Sequence, residues 1–293
     1  MKNLFIIAAV GLSALACNKA TDFPGTSGKQ ITIQAGIGSM SKVATIGDQS
    51  VFQEGDNISL YSWTGGATAV SPNLVVNGVR NTLGENGKWT PETQMLWADM
   101  VSSHYFIGVC PERTVTNFTS DAYTLDPADY QASDLLIATN LTGLKAQDDP
   151  VALAFDHVLA KLYVNLSFRN QWSEEPTVTA VTATAKKTAT VDYLTKAFTA
   201  TGTAGPVALT ASANNAWSGL QVPQVGVNTI TVTIEGNDYV YTHTTDIPLQ
   251  GGKYTTVNLV IGRDQINLAS EITISDWASQ GDAIDGDVFK PAE

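Results

Sequence analysis

Cysteine and histidine are nearly missing from this 293-residue chain, which has two of the first and three of the second. His104, His157 and His243 lie far apart, each in or beside an alternating apolar run, with no metal-ligand spacing joining them. The chain has no GxSxG, no HExxH and no phosphate-cradling loop; the Gly-Lys pairs at 87–88 and 252–253 lack the flanking residues and read as turns. The expectation is a non-enzyme with no cofactor and no metal. Positive charge is also scarce, with 16 Lys and Arg against 28 Asp and Glu, a formal net charge of -12, and no long basic run. Such a field repels phosphate backbones, so nucleic acid is excluded as a partner. A long apolar run is missing too: the stretch from Leu4 to Leu15 is about a dozen residues, short of the roughly 20 that a membrane-spanning helix needs.

That short run is nevertheless informative. Lys2 precedes it, and the small residues Ala14 and Ala16 lead directly to Cys17. This is the layout of a secretory signal peptide over residues 1–16 with a lipoprotein-type cysteine after it. Cys17 is the expected lipidation site, carrying palmitate-like acyl chains whose buried methylenes each contribute about 0.8 kcal/mol, enough for two or three chains to hold a protein at the outer membrane. Residues 17–30 are small, polar and Gly/Pro-containing, which suits a flexible linker. With Cys17 acylated, Cys110 has no disulfide partner and reads as a small buried apolar residue.

Beyond the linker the apolar period is two almost everywhere. Ile31, Ile33, Ala35 and Ile37 alternate with polar or small residues, as do Leu162, Val164, Leu166 and Phe168. Ile230, Val232 and Ile234 repeat the pattern, then Val257, Leu259 and Ile261, then Ile272 and Ile274. Turn signals such as Asn86-Gly87 and Gly251-Gly252 separate the runs. One face is apolar and the other wet, which predicts an all-β protein of sandwiches or barrels. The polar stretch 147–150 marks an expected boundary between an N-terminal β-sandwich over 31–149 and a C-terminal one over 150–293.

Asp282, Asp285 and Asp287 lack the spacing of a calcium loop and read as a solvated acidic tail. Asn57, Asn117, Asn140 and Asn165 open formal glycan-acceptor triplets, a weak signal in a bacterial lipoprotein. Six tryptophans offer a second functional reading: if clustered and exposed they could stack on sugar rings, making the protein a glycan-binding surface lipoprotein, although core packing accounts for most tryptophans in a β-rich chain.

Several segments occur in the order found in the fimbrillins of Bacteroidia: FQEGDNISLY (52–61), QMLWADMVSSHYFIGVCP (94–111), DLLIA (134–138), VALAFDHVLAKLYVNL (151–166), VPQ (222–224), LQGGKYTTVNL (249–259) and ITISDW (272–277). The chain therefore resembles the subunits of type V pili. The resemblance implies two tandem transthyretin-like β-sandwiches in a structural subunit of a cell-surface fimbrium supporting adhesion, as a shaft, anchor or tip adhesin. Its implied partners are other pilus subunits, a trypsin-like processing protease, the outer membrane through the lipid, and surface glycans or proteins. It also implies that a first strand bearing Ile31, Ile33 and Ile37 is cut away and replaced by a strand from the next subunit. Lys42-Val43 stands where the family often has an arginine, and is the candidate cleavage site. Ile284, Val288 and Phe289, in the tail after Trp277, are the candidate donor-strand residues, with the 272–277 strand as the other possible donor.

Overall fold

A computed structural model of the chain describes residues 28–38, 51–212 and 215–277. Its first half supplies β1 (Ile33–Ile37), β2 (Asn57–Thr64), β3 (Val76–Leu83), β4 (Trp89–Pro91), β5 (His104–Cys110), β6 (Asp121–Thr124), the single-turn helix α1 (Tyr130–Ser133), β7 (Leu136–Leu144) and β8 (Val151–His157). All but β6 and α1 form one seven-stranded sheet in the order β1-β8-β7-β5-β2-β3-β4. Neighbours in it are antiparallel except β1, which runs parallel to β8. Strand alternation divides the side chains between two cores. Ile58 and Leu60 of β2, Phe106 of β5, Leu136 of β7, and Val151, Leu153 and Phe155 of β8 line one face and bury together. Tyr61, Trp63, Ile107, Val109 and Ile137 point the other way, into a larger core shared with the rest of the chain.

The second half supplies β9 (Ala160–Phe168), β10 (Val178–Ala185), β11 (Thr188–Asp192), β12 (Ala197–Thr201), β13 (Gly205–Ala208), β14 (Thr210–Ala211), β15 (Ala216–Gln221), β16 (Thr229–Ile234), β17 (Asn237–Thr242), β18 (Lys253–Ile261), β19 (Ile266–Leu268) and β20 (Thr273–Asp276). One sheet runs β14-β15-β9-β18-β19 and the other β13-β10-β16-β17. Between them bury Leu162, Val164, Val257, Leu259 and Ile261 from the first and Val181, Ala183, Ile230, Val232 and Ile234 from the second. At the centre β9 and β18 lie parallel, in register from Lys161 with Tyr254 to Phe168 with Ile261. The other side of β18 pairs first with β20 and then with β19. All-β architecture is thus present as expected; of the Ile272–Ile274 alternation, Ile272 packs partly buried on the large core while Ile274 on β20 is 39% exposed.

A small third sheet joins the halves, with β6 from the first paired to β11, and β11 to β12, from the second. Asp121 at the start of β6 is the node of this junction. It accepts hydrogen bonds from Tyr193 Oη (3.0 Å), Arg113 Nη2 (3.3 Å) and Thr116 Oγ1 (3.2 Å). Burial raises the phenol pKa of Tyr193. Sheet membership also differs from the division expected at 149/150. Residues 147–150 form the turn between β7 and β8, so β8 still belongs to the first sheet, and the chain changes sheets at Val158 and Leu159. Among the described residues no helix is long and apolar enough to cross a membrane.

Candidate functional site

The segment around β1 is seated between two sheet edges. Along β8 it pairs from Ile33 with Val151 to Ile37 with Phe155, extended by Val151 N–H donating to Thr32 O (2.8 Å) and Gly38 N–H to Phe155 O (2.7 Å). On its other side Ile31 N–H donates to Met95 O (2.8 Å), Trp97 N–H to Lys29 O (3.0 Å), and the Trp97 indole to Gln30 O (3.2 Å). Lys29 pairs with Asp148 across the start of β8 at 3.1 Å. Ile31 and Ile33 are buried at 2% and 7% exposure, while Ala35 and Ile37 pack partly buried on the same core. The segment therefore closes the first sheet toward a barrel and plugs its interior.

Phe155 forms the floor of that seat. Its ring lies over Gly108 so closely that a Cβ at Gly108 would stand 2.5 Å from Cζ. Phe52 packs edge-on to both Phe155 (5.2 Å) and Trp89 (5.1 Å). No periodic signal marked Met95 or Trp97 as a closing edge, because an isolated bridge between Gln30 and Leu96 replaces a regular strand there.

At the Val151 end of the seat, the chain after Trp97 makes a tight turn. Asp99 Oδ1 accepts from the backbone N–H of Val101 (2.8 Å) and Ser102 (2.5 Å), and its Oδ2 accepts from Ser102 Oγ (2.6 Å). These bonds, the Ser102 hydroxyl first, hold the Asp99 carboxyl at a pKa of about 2. His104, fully buried, accepts from Ala98 N–H at 3.1 Å and stands edge-on to Trp97. Met100 and Val101 are left at the tip, 52% and 74% exposed.

A second polar cluster lies at the other end of β8. His157 Nδ1 is 3.0 Å from Asp134 Oδ1, a carboxylate oxygen that accepts, which places a proton on Nδ1. The imidazole stacks on Trp277 with centroids 4.2 Å apart and planes 6° off parallel. Lys161, 4% exposed, holds Nζ 5.0 Å from the Tyr163 ring, 5.2 Å from Tyr130 and 5.7 Å from Trp277. Trp277 N–H donates to Gly252 O (2.9 Å), which fixes the end of β20.

The remaining sequence candidates separate clearly. Ile31, Ile33 and Ile37 come together in the seat, whereas Cys17, Lys42, Val43, Ile284, Val288 and Phe289 lie outside the described residues, as do Asp282, Asp285 and Asp287. His243 bonds Tyr241 Oη at 2.6 Å, and the three histidines do not meet in one site. Among the described residues no group of three or more His, Cys, Asp or Glu could hold a metal. Burial pushes the Cys110 thiol up to about 12, so it stays an unreactive thiol at neutral pH. Trp63, Trp97, Trp217 and Trp277 are buried and Trp89 and Trp172 half-buried, so none of the six is fully exposed and the two half-buried ones are the remaining candidates for stacking on sugars.

The fimbrillin-like family profile matches residues 42–277. No curated relative matches the chain. Solved structures share its fold. One, a protein of Bacteroides uniformis assigned to cell adhesion, has a TM-score of 0.63 at 20% identity, covering 85% of this chain and 98% of its own. A fimbrial protein of Bacteroides vulgatus has a TM-score of 0.54 at 13% identity, with 84% and 99% covered. A fimbrial assembly protein of Parabacteroides distasonis has 0.51 at 12%, with 84% and 99% covered.

Proposed function

The chain belongs to the fimbrillin-like family and is a structural subunit of a fimbrium at the cell surface, and from that premise we propose that it assembles by exchange of its first strand. The observation that carries the reading is the seat of β1. One short terminal segment satisfies the backbone edge of β8, bonds the Met95–Trp97 segment, and plugs an apolar interior with Ile31 and Ile33. Its removal leaves β8 with unpaired N–H and C=O groups and an open apolar slot, a state that any suitable strand relieves. A strand from the next subunit makes a head-to-tail contact that need not close, so repetition yields a filament. Lys42-Val43, between the seat and the described chain from Val51, is the proposed cut. Cys17 would carry the lipid that holds the precursor at the outer membrane. The tail with Ile284, Val288 and Phe289 would be the donor, and surface glycans or proteins the adhesion targets.

Parallel pairing with β8 gives the slot a direction. A donor that restores the β1 bonds enters with its N-terminal end beside Val151 and its C-terminal end beside Phe155. Cleavage after Lys42 is tested by limited trypsin followed by mass spectrometry and electron microscopy. The reading expects a folded body beginning at Val43 that forms fibres. A body that remains monomeric and loses no stability on cleavage sinks it.

A further inference from the structure

We propose that the cavity between the β2–β3 connection and the β5–β6 connection is a binding site for an uncharged sugar at the end of a surface glycan. The inference rests on the adhesion reading above, gives its target a chemical class and a place, and is independent of strand exchange. The cavity measures about 360 Å³, inside the roughly 300–1,000 Å³ range of small-ligand pockets. Leu74 and Phe118 supply apolar lining, and Ser71, Thr116, Asn117 and Thr119 supply polar lining. Among the described residues no charged side chain lines it.

The hydrogen bonds already made decide what the lining can still offer. Asn117 Oδ1 accepts from Thr119 N–H (3.0 Å), Thr119 Oγ1 (3.1 Å) and Ser120 N–H (3.1 Å), which leaves both N–H groups of its amide without a partner among the described residues. Ser71 Oγ accepts from Asn73 N–H (3.2 Å), so its own proton remains to donate. Thr116 and Thr119 donate their protons to Asp121 and Asn117, and each hydroxyl oxygen keeps acceptor capacity. Donors and acceptors thus stand side by side. A carboxylate or phosphate would meet the threonine lone pairs, a cation would meet the amide N–H groups, and the net charge of -12 further disfavours anions. A sugar hydroxyl both donates and accepts, and the apolar face of the ring suits Leu74 and Phe118. An extended peptide shares that polarity but binds along a sheet edge, and residues 70–74 and 116–119 belong to no strand. The site is set before a ligand arrives. Phe118 O accepts from Tyr193 N–H (2.8 Å) and the Phe118 ring packs edge-on to Tyr61 at 5.1 Å, so little ordering entropy opposes binding.

The test uses the uncleaved chain, so assembly plays no part. Labelled protein is applied to arrayed glycans ending in galactose, mannose, fucose or N-acetylglucosamine, to the same glycans capped with sialic acid or sulfate, and to arrayed peptides; the neutral glycan retained best is then titrated by calorimetry. Neutral glycans should be retained and their charged counterparts not. Thr119→Trp, which fills the cavity, should abolish binding, and Ser71→Ala, which removes one donor, should weaken it on the order of tenfold. Thermal unfolding first confirms that both fold, and Ser71→Trp replaces Thr119→Trp if the latter does not. Neutral-glycan binding unchanged in both variants overturns the site and leaves glycan adhesion standing elsewhere on the surface. Retention of peptides or charged glycans alone overturns the sugar assignment and keeps adhesion. If nothing on the arrays is retained the site falls, and the adhesion reading falls with it when the chain also fails to bind intact host and bacterial cells.

Discussion

The two halves of the molecule solve one problem differently. Each has an apolar interior and a sheet edge to cover. The second half covers its own: β19 and β20, close behind β18 in sequence, occupy the outer side of β18, while β9 holds the inner side over eight registered pairs. The first half relies on a segment whose backbone bonds run along β8 and the Met95–Trp97 edge. The first interior is also small and separate, whereas the second merges with the outer face of the first sheet in one large core. A core that is discrete, and closed by one short terminal strand, can be opened without dismantling its neighbour.

The sharpest way to break that contrast is to delete residues 1–42. Burial of Ile31 and Ile33 stabilises by roughly 1.5 to 3 kcal/mol each, so the first sheet should loosen by several kcal/mol. Hydrogen exchange should accelerate in β8 and at Met95–Trp97 while protection in β9 and β18 stays near the original. Equal loss in both halves would show a single cooperative unit and erase the distinction. Next, Phe155→Ala empties the floor of the seat and should cost about 3 to 5 kcal/mol, read by denaturant unfolding. It should also weaken capture of a donor peptide, which Val232→Ala in the second half should not. Tyr193→Phe removes one bond to Asp121 at the junction of the halves and should cost about 1 kcal/mol, appearing as a lower midpoint in denaturant unfolding.

The smallest effect concerns pH. Asp99 has a folded pKa lowered to about 2, so its contribution to the turn is fully present above the usual carboxylate range near pH 4 and is lost as pH falls through about 2. Amide exchange at Val101 and Ser102 should therefore quicken in that window, and Asp99→Asn should show no comparable transition.

Period-two alternation revealed which residues face inward, because that pattern is local. Ile230, Val232, Ile234, Val257, Leu259 and Ile261 are all buried as the pattern implies. Alternation is silent on which sheet a strand joins, and the run from Val151 to Phe168 shows why. It reads as one apolar segment, yet Val158 and Leu159 carry it from one sheet to another, and the Asp-Asp-Pro signal before it is only a hairpin turn. Ile31, Ile33 and Ile37 were legible as strand residues. Their seat was not, because Phe155 over Gly108 and the Met95–Trp97 edge are long-range contacts without a local signature. The exposure of Ile274 was hidden for a related reason: β20 lies at the rim of its sheet, where the core covers Ile272 but leaves Ile274 open.

The parallel pairing of β9 and β18 has a mechanical consequence. β20 ends opposite Lys253, and the neighbouring Tyr254 registers with Lys161, so the exit of the chain at Trp277 and the start of β9 lie at one end of that sheet. Tension applied to the chain beyond Trp277 therefore crosses from β20 through the first pairs of β18 to β9 and passes into β8 through the covalent turn at Val158 and Leu159. The load path between the chain's exit and the strand beside the slot is short, and most of the second sheet lies off it.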